Sequence, residues 1–145
     1  MSKRDVVDEI ACSCLLSASR RLGRVVTSIF DEELRPFGIK ASQFGLLVVI
    51  AKAGPVRRTG IGRYADLDPS TLTRNLAVMA TNGWIEDVIE GDDGRGDPVR
   101  ITTKGRHLID SVAPGWKKAQ QRARKFLGDE RAASLISLFQ APPPG

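Results

Sequence analysis

The spacing of apolar residues changes at Asn82-Gly83, and this change constrains the fold more than any other feature of the chain. Before that point apolar residues recur at helical intervals, whereas residues 84–90 and 99–102 have the composition of two strands. A Gly- and Asp-rich turn, residues 91–98, separates the two strands. The sequence therefore predicts several helices followed by a small β-hairpin.

The first apolar run extends from Val6 to Leu34 without a proline and stops at Pro36-Phe37-Gly38. A helix of about 29 residues would span ~44 Å, more than the core of a single 145-residue domain needs. We therefore predict that residues 1–35 form a dimerisation helix. Residues 103–145 should supply the remaining dimerisation helices, at 104–126 and 129–139, with a kink at Pro114-Gly115.

Residues 36–102, between these two segments, are predicted to form a helix-turn-helix lobe followed by the hairpin. Helices are expected at 41–52 and, despite Gly60 and Gly62, at 59–65. The next helix has the clearest start, because Asp68 can cap it and Pro69 suits its first position. A short helix, a tight connection and a second helix with a polar start are typical of DNA-binding proteins.

The helix that begins at Pro69 has two faces at 100° per residue. One face carries Leu72, Leu76 and Met79, and the other carries Ser70, Thr73, Arg74 and Ala77. The polar face suits a major groove, where an arginine can bond guanine bidentately and hydroxyls can reach bases or phosphates. A helix face that only contacts water would show the same pattern, and periodicity alone leaves that alternative open.

Arg95 occupies the centre of the hairpin turn, where a wing would place a cation in a narrow minor groove. An ordinary surface turn is the alternative. Asp92, Asp93 and Asp97 favour that alternative in part, because they would repel phosphates. A second hypothesis follows from the same acids and the glycines of the third helix: a winged module that binds proteins and not DNA.

Several motifs, in this order and spacing, resemble the MarR (multiple antibiotic resistance regulator) family of bacterial transcription factors over nearly the full length of the chain. The matching pieces are residues 70–76 (Ser-Thr-Leu-Thr-Arg-Asn-Leu), 82–85 (Asn-Gly-Trp-Ile), 93–95 (Asp-Gly-Arg), 101–108 (Ile-Thr-Thr-Lys-Gly-Arg-His-Leu) and 114–116 (Pro-Gly-Trp). The resemblance implies a homodimer with interleaved terminal helices, bound to a pseudo-palindromic operator in double-stranded DNA. It also implies a repressor that is released by a small-molecule effector bound between the dimer helices and the winged lobe.

The resemblance further implies which residues contact DNA. The major groove would be read by Ser70, Thr71, Thr73, Arg74 and Asn75, while Arg95 would enter the minor groove. Cys12, eight residues before Arg20, resembles the reactive cysteine of a peroxide-sensing branch, although Leu16 and Val26 stand where that branch has supporting tyrosines. Thiol-based redox sensing is therefore an alternative to a structural role for Cys12.

Charge and composition limit the other function classes. The formal charge is +5, and its excess lies in residues 103–145, with eight basic residues against three acidic; this permits an acidic partner without requiring one. Two cysteines and one histidine have no metal-ligand spacing, and no nucleophile–base or acid–base constellation is visible. We expect no enzyme activity, no cofactor and a cytoplasmic protein without a signal peptide. One of the cysteines, Cys12 or Cys14, is expected in the core.

Overall fold

The computed structural model describes residues 5–65, 67–89 and 98–140. The helices are α1 (Val6–Ser13), α2 (Leu15–Leu34), α3 (Ala41–Ala53), α4 (Arg58–Tyr64), α5 (Pro69–Thr81), α6 (Thr103–Leu127) and α7 (Asp129–Gln140). A 3-10 turn, Arg35–Phe37, follows α2, and the strands are β1 (Val56–Arg57), β2 (Ile85–Asp87) and β3 (Pro98–Ile101). The predicted fold class, mainly α with a small antiparallel hairpin, is confirmed.

The single N-terminal helix predicted from Val6 to Leu34 is wrong in one respect, because the helix breaks at Cys14. Cys14 has extended backbone angles, φ −76° and ψ 113°. The break follows Ser13, whose hydroxyl donates to the Glu9 carbonyl. Serine and cysteine are weak helix formers, and a serine hydroxyl that bonds the preceding turn bends helices. Cys14 therefore interrupts a run whose apolar spacing alone looked continuous.

The sheet has one strand more than predicted. β1 pairs antiparallel with β3, with Val56 opposite Val99, and β3 pairs with β2, with Ile85 opposite Ile101. The sheet order is β1-β3-β2. A two-residue strand carries no period that a sequence can display, so β1 was missed. The strand predicted at 84–90 is the shorter β2, and the strand predicted at 99–102 is β3, shifted by one residue.

The core lies mainly in residues 36–102 and also includes residues of α2 and α6. Leu47, Ile50 and Met79, together with Leu34 of α2 and Val112 of α6, are fully enclosed. Ile61 of α4 and Val99 of β3 join the same cluster. The helix-turn-helix segment and the sheet therefore share one hydrophobic core, which fixes the orientation of α5.

The junction between α5, the sheet and α6 is tightly packed. Gly83 ends the turn after α5 with φ 76°, a conformation that only glycine adopts readily. The Thr102 hydroxyl donates to the Gly83 carbonyl at 2.6 Å and accepts from the Gly105 N–H at 3.0 Å, which caps α6. A side chain at Gly105 would collide with the Trp84 carbonyl and would lie 2.7 Å from Ile101 Cγ1.

Helix α6 runs as one helix from Thr103 to Leu127, with Pro114 inside it. Gly115 lets it approach α2 closely, because a Cβ there would lie 3.0 Å from the Glu33 carbonyl oxygen. The Arg122 guanidinium then bonds Glu32 at 2.8 Å and Glu33 at 3.1 Å. These contacts join the N- and C-terminal helices within one chain.

The terminal helices α1, α2, α6 and α7 leave much apolar surface uncovered in the single chain. All eight residues of α1 are exposed. The exposed large apolar side chains of these helices are Val6, Val7, Ile10, Leu15, Leu16, Trp116, Phe126, Ile136, Leu138 and Phe139. Within the described ranges, no single helix could cross a membrane by length and hydropathy, and only the bent pair Val6–Phe37 and Ala41–Ala53, at 80°, passes such a test jointly.

Candidate nucleic-acid interface

Helices α4 and α5 form the helix-turn-helix predicted from residues 54–82. Helix α5 begins at Pro69, and the Asp68 carboxylate caps it by accepting from the Thr71 N–H at 2.9 Å. Its two faces lie as predicted: the apolar residues Leu72, Leu76 and Met79 are buried, whereas Ser70, Thr73, Arg74 and Ala77 are exposed. The apolar face thus anchors α5 to the core, and the polar face is open to solvent.

The first turn of α5 is organised around Asp68. Its carboxylate accepts from the Ser70 hydroxyl at 2.5 Å and from the Thr71 hydroxyl at 2.6 Å, besides the Thr71 N–H. These bonds, that of Ser70 first, hold the pKa of the Asp68 carboxyl well below its ordinary range. We call Asp68, Ser70, Thr71 and Arg74 the first-turn cluster.

Arg74 joins this cluster through Thr71 and keeps most of its hydrogen-bonding capacity. Its Nη2 lies 3.4 Å from Thr71 Oγ1, a long contact that uses one of five guanidinium donors. The Thr73 hydroxyl donates to the Pro69 carbonyl at 2.9 Å, within the helix. Arg74 is therefore the main free donor on the exposed face of α5.

Asn75 lies at the edge of that face and has a second contact. It is half-buried, and its Nδ2 donates to the Ser42 hydroxyl of α3 at 3.3 Å. This bond joins α5, the second helix of the helix-turn-helix, to α3. Five of the six predicted contact residues therefore share one helix, and four of them are exposed or lie at its first turn.

Arg95, the sixth predicted contact residue, lies outside the described residues, as does the turn 91–97. The strands on both sides of this turn carry exposed ion pairs. Arg58 of α4 bonds Asp87 of β2 at 3.2 Å, and Arg100 of β3 bonds Glu86 at 2.8 Å. The first pair ties the helix-turn-helix to the base of the hairpin.

Comparison with known proteins decides the family. The model of the MarR family matches residues 37–96, which include α3, α4, α5 and β2. The multiple antibiotic resistance protein MarR of Escherichia coli (strain K12) is 32% identical over 106 residues, or 72% of this chain and 74% of that protein. The chain belongs to the MarR family.

Two further comparisons cover most of the length of this chain. An uncharacterized HTH-type transcriptional regulator of Bacillus subtilis, YwoH, is 24% identical over 87% of this chain and 91% of its own. A MarR mutant from E. coli complexed with operator DNA superposes with a TM-score of 0.79 at 26% identity, covering 97% of this chain and 99% of that one. The protein is thus a MarR-family transcriptional regulator and not an enzyme, as expected.

The sequence did not reveal how the first turn of this MarR-family chain is held together. Asp68 was predicted only as a helix cap, whereas it also binds the hydroxyls of Ser70 and Thr71. The signal was present, because hydroxyls two and three residues after an N-cap carboxylate lie within its reach. Asp31 was also missed: it accepts from the Ala41 N–H at 2.7 Å and so caps α3 from α2.

The expectation that one cysteine packs in the core is wrong for the single chain, because Cys12 is exposed and Cys14 is half-exposed. Both lie where the apolar residues of α1 and α2 have no cover from the rest of the chain. The backbone N–H of Ser17, then its hydroxyl and the N–H of Leu16, lower the pKa of the Cys14 thiol. Among the described residues, no group of three His, Cys, Asp or Glu side chains could hold a metal ion.

Spaces of different size border the terminal helices within the described residues. A cleft of about 530 Å³ opens between α2 and the helix-turn-helix and is lined by Asp31, Arg35, Gly38, Ile39, Lys40, Gln43 and Val78. A smaller apolar cavity of about 100 Å³ lies among α2, α6 and α7. The 530 Å³ cleft reaches α5 itself, through Val78.

Proposed function

We propose that the protein binds duplex DNA specifically, as a homodimer, with α5 in the major groove. One observation carries this proposal: α5 is fixed to the core by one face and presents Thr73 and Arg74 on the opposite, exposed face. A rigid helix with a free guanidinium can read a guanine edge, which offers two acceptors in the major groove. A MarR mutant with a similar fold is complexed with operator DNA, which supports DNA binding by this chain.

We assign the DNA-contacting role to the predicted residues Ser70, Thr71, Thr73, Arg74 and Asn75 of α5, and to Arg95 of the wing. Among the five on α5, Arg74 should contribute most to base specificity, because its donors are the least engaged within the chain. Asn75 should contribute partly by holding α5 against α3 through Ser42. Arg95 should act through the charge and width of the minor groove.

The homodimer is proposed from the uncovered apolar surface of the terminal helices. Leu15 and Leu138 are 84% and 71% exposed, which is unusual for large apolar side chains grouped on neighbouring helices. A second copy of the chain would bury this surface, so residues 1–35 and 103–145 would form the dimerisation segments and 36–102 the DNA-binding lobe. Two-fold symmetry would then match a pseudo-palindromic operator.

We further propose that the regulator is a cytoplasmic repressor whose release from DNA is controlled by a small molecule in the 530 Å³ cleft. The cleft lies between α2, which belongs to the dimerisation segment, and α5, which would read DNA. An occupant would therefore contact both α2 and α5. The relative position of these helices would set the distance between the two α5 helices of a dimer. The volume of the cleft is in the range of small-molecule sites.

The test compares Arg74→Ala with Lys117→Ala on a fragment of the protein's own promoter. Arg74→Ala should weaken operator binding by about 1–3 kcal/mol and relax base preference at one position in each half-site. Lys117→Ala, at an exposed lysine of α6, also removes one positive charge but leaves α5 untouched. It should therefore change the operator affinity little. If Arg74→Ala binds the operator like the wild type while remaining a folded dimer, the protein-interaction module becomes the better hypothesis.

A further inference from the structure

We propose that Asp68 determines which base edges the regulator prefers, by turning the hydroxyls of Ser70 and Thr71 into hydrogen-bond acceptors towards DNA and by orienting Arg74 as the neighbouring donor. This inference rests on the proposed DNA binding by α5. It makes Asp68 a positioning residue, because its effect passes through the other members of the first-turn cluster. Three observations carry it.

The first observation is the direction of the hydrogen bonds. An ionised carboxylate only accepts, so Ser70 and Thr71 must donate their single hydroxyl protons to Asp68 at 2.5 and 2.6 Å. The carboxyl is ionised at neutral pH, as an ordinary aspartate is, and these same bonds lower its pKa further. With their protons committed, the two hydroxyls have only lone pairs left for an outside partner.

The second observation is the contact between Thr71 and Arg74. Since the Thr71 proton is directed to Asp68, Thr71 Oγ1 can accept from Arg74 Nη2, 3.4 Å away. The series of hydrogen bonds from carboxylate to hydroxyl to guanidinium biases the position of the arginine on an otherwise exposed helix face. The contact is long, and it leaves the other guanidinium donors free for a base.

The third observation is that Asp68, Ser70 and Thr71 present only negative charge and lone pairs to an outside partner. Phosphates only accept hydrogen bonds, so neither the lone pairs of Ser70 and Thr71 nor the negative charge of Asp68 suits them. Adenine N6 and cytosine N4 are the donors that a major groove offers, and guanine offers acceptors to Arg74. Each half-site should therefore combine a guanine opposite Arg74 with a neighbouring base that presents an exocyclic amine to Ser70 or Thr71.

The experiment measures affinities for an operator library in which each base pair is varied, together with affinity for non-operator DNA and thermal stability. Asp68→Asn keeps an oxygen that can cap the Thr71 N–H but removes the charge that takes both hydroxyl protons. Thr71→Val removes the link to Arg74, and Thr71→Ser retains it. Asp110→Asn, at an exposed carboxylate of α6, is the control for a change of one charge.

Asp68→Asn should bind non-operator DNA more tightly than the wild type, while its preference for the amine-bearing base falls about 5- to 10-fold. Thr71→Val should lose the same preference, and Thr71→Ser should keep it. Unchanged base preference in Asp68→Asn and Thr71→Val would overturn the inference, as would a loss of affinity that only follows thermal stability. A wild-type chain without operator preference would instead contradict the proposed function itself.

Discussion

The lobe of residues 36–102 and the terminal helices place their apolar residues in opposite surroundings. In the lobe, Leu47, Ile50 and Met79 are inaccessible to solvent within a single chain. In the terminal helices, α1 is entirely exposed, α2 buries only Leu34, and α7 buries only Ala132. The apolar residues of the lobe are therefore buried within a single chain, whereas the terminal helices have an apolar surface that a single chain leaves open.

In the proposed homodimer, one sequence would specify two kinds of packing, within the chain and between two copies. Residues that pack within the chain should determine the free energy of unfolding of the lobe at any protein concentration. Residues that pack against a second copy should determine an association constant instead. The variants below test this division, beginning with the largest effect.

Leu47→Ala should have the largest effect on stability. Leu47 is fully buried on α3, so removing its side chain should lower the free energy of unfolding by about 2–5 kcal/mol. Chemical denaturation at two protein concentrations measures this loss, which should be the same at both. A loss below about 1 kcal/mol would mean that the lobe core relaxes into the space, contrary to close packing.

Gly105→Ala should destabilise the junction between the sheet and α6 by about 3 kcal/mol, because the added methyl group meets the Trp84 carbonyl and Ile101. Gly45→Ala, in α3, is the matched control, since nothing lies within 4 Å of the added group. That control should be neutral or more stable by about 0.5–1 kcal/mol. Thermal unfolding of both variants, side by side, gives the comparison, and equal effects would refute the close contact.

Leu138→Ala should leave the lobe folded and weaken dimerisation at least about tenfold, because a partner would lose a buried leucine on each side. Val48→Ala changes an apolar residue of the lobe that is 40% exposed, and it should leave dimerisation unchanged. Sedimentation over a range of concentrations measures both dissociation constants. Equal constants for Leu138→Ala and the wild type would place Leu138 outside the dimer contact.

Arg122→Gln should have the smallest effect. Arg122 joins α6 to Glu32 and Glu33 of α2, but its side chain is 43% exposed and salt screens such pairs. We expect a small decrease in Tm at low salt that disappears at high salt. A large decrease that persists at high salt would mean that these ion pairs, and not apolar contacts, hold the terminal helices together.

The lobe was the more predictable region from sequence. The cap at Asp68, the proline at position 69 and the spacing of Leu72, Leu76 and Met79 specify α5 locally, and the structure has all of them. These signals are short-range, so one sequence suffices to read them. Strand β1 was not predictable in this way, because Val56 and Arg57 become a strand only through pairing with β3.

The terminal helices and the site chemistry were less predictable. The apolar spacing of residues 6–34 predicted helix correctly but could not show the break at Cys14, which depends on local hydrogen bonding around Ser13. Likewise, the sequence named Ser70, Thr71 and Arg74 as contact residues without showing that Asp68 links them. The acceptor to which each hydroxyl donates its proton depends on three-dimensional distances, and sequence patterns do not contain these distances.

The most direct test of the account is the number of chains bound to one operator duplex. A promoter fragment titrated with wild-type protein, with the mass of the complex measured by sedimentation, tests the lobe and the terminal helices together. The account predicts two chains on one duplex, bound in a single cooperative step, with half-site centres about one helical turn (~10 bp) apart. One chain per duplex, or binding without preference for the promoter fragment, would contradict it.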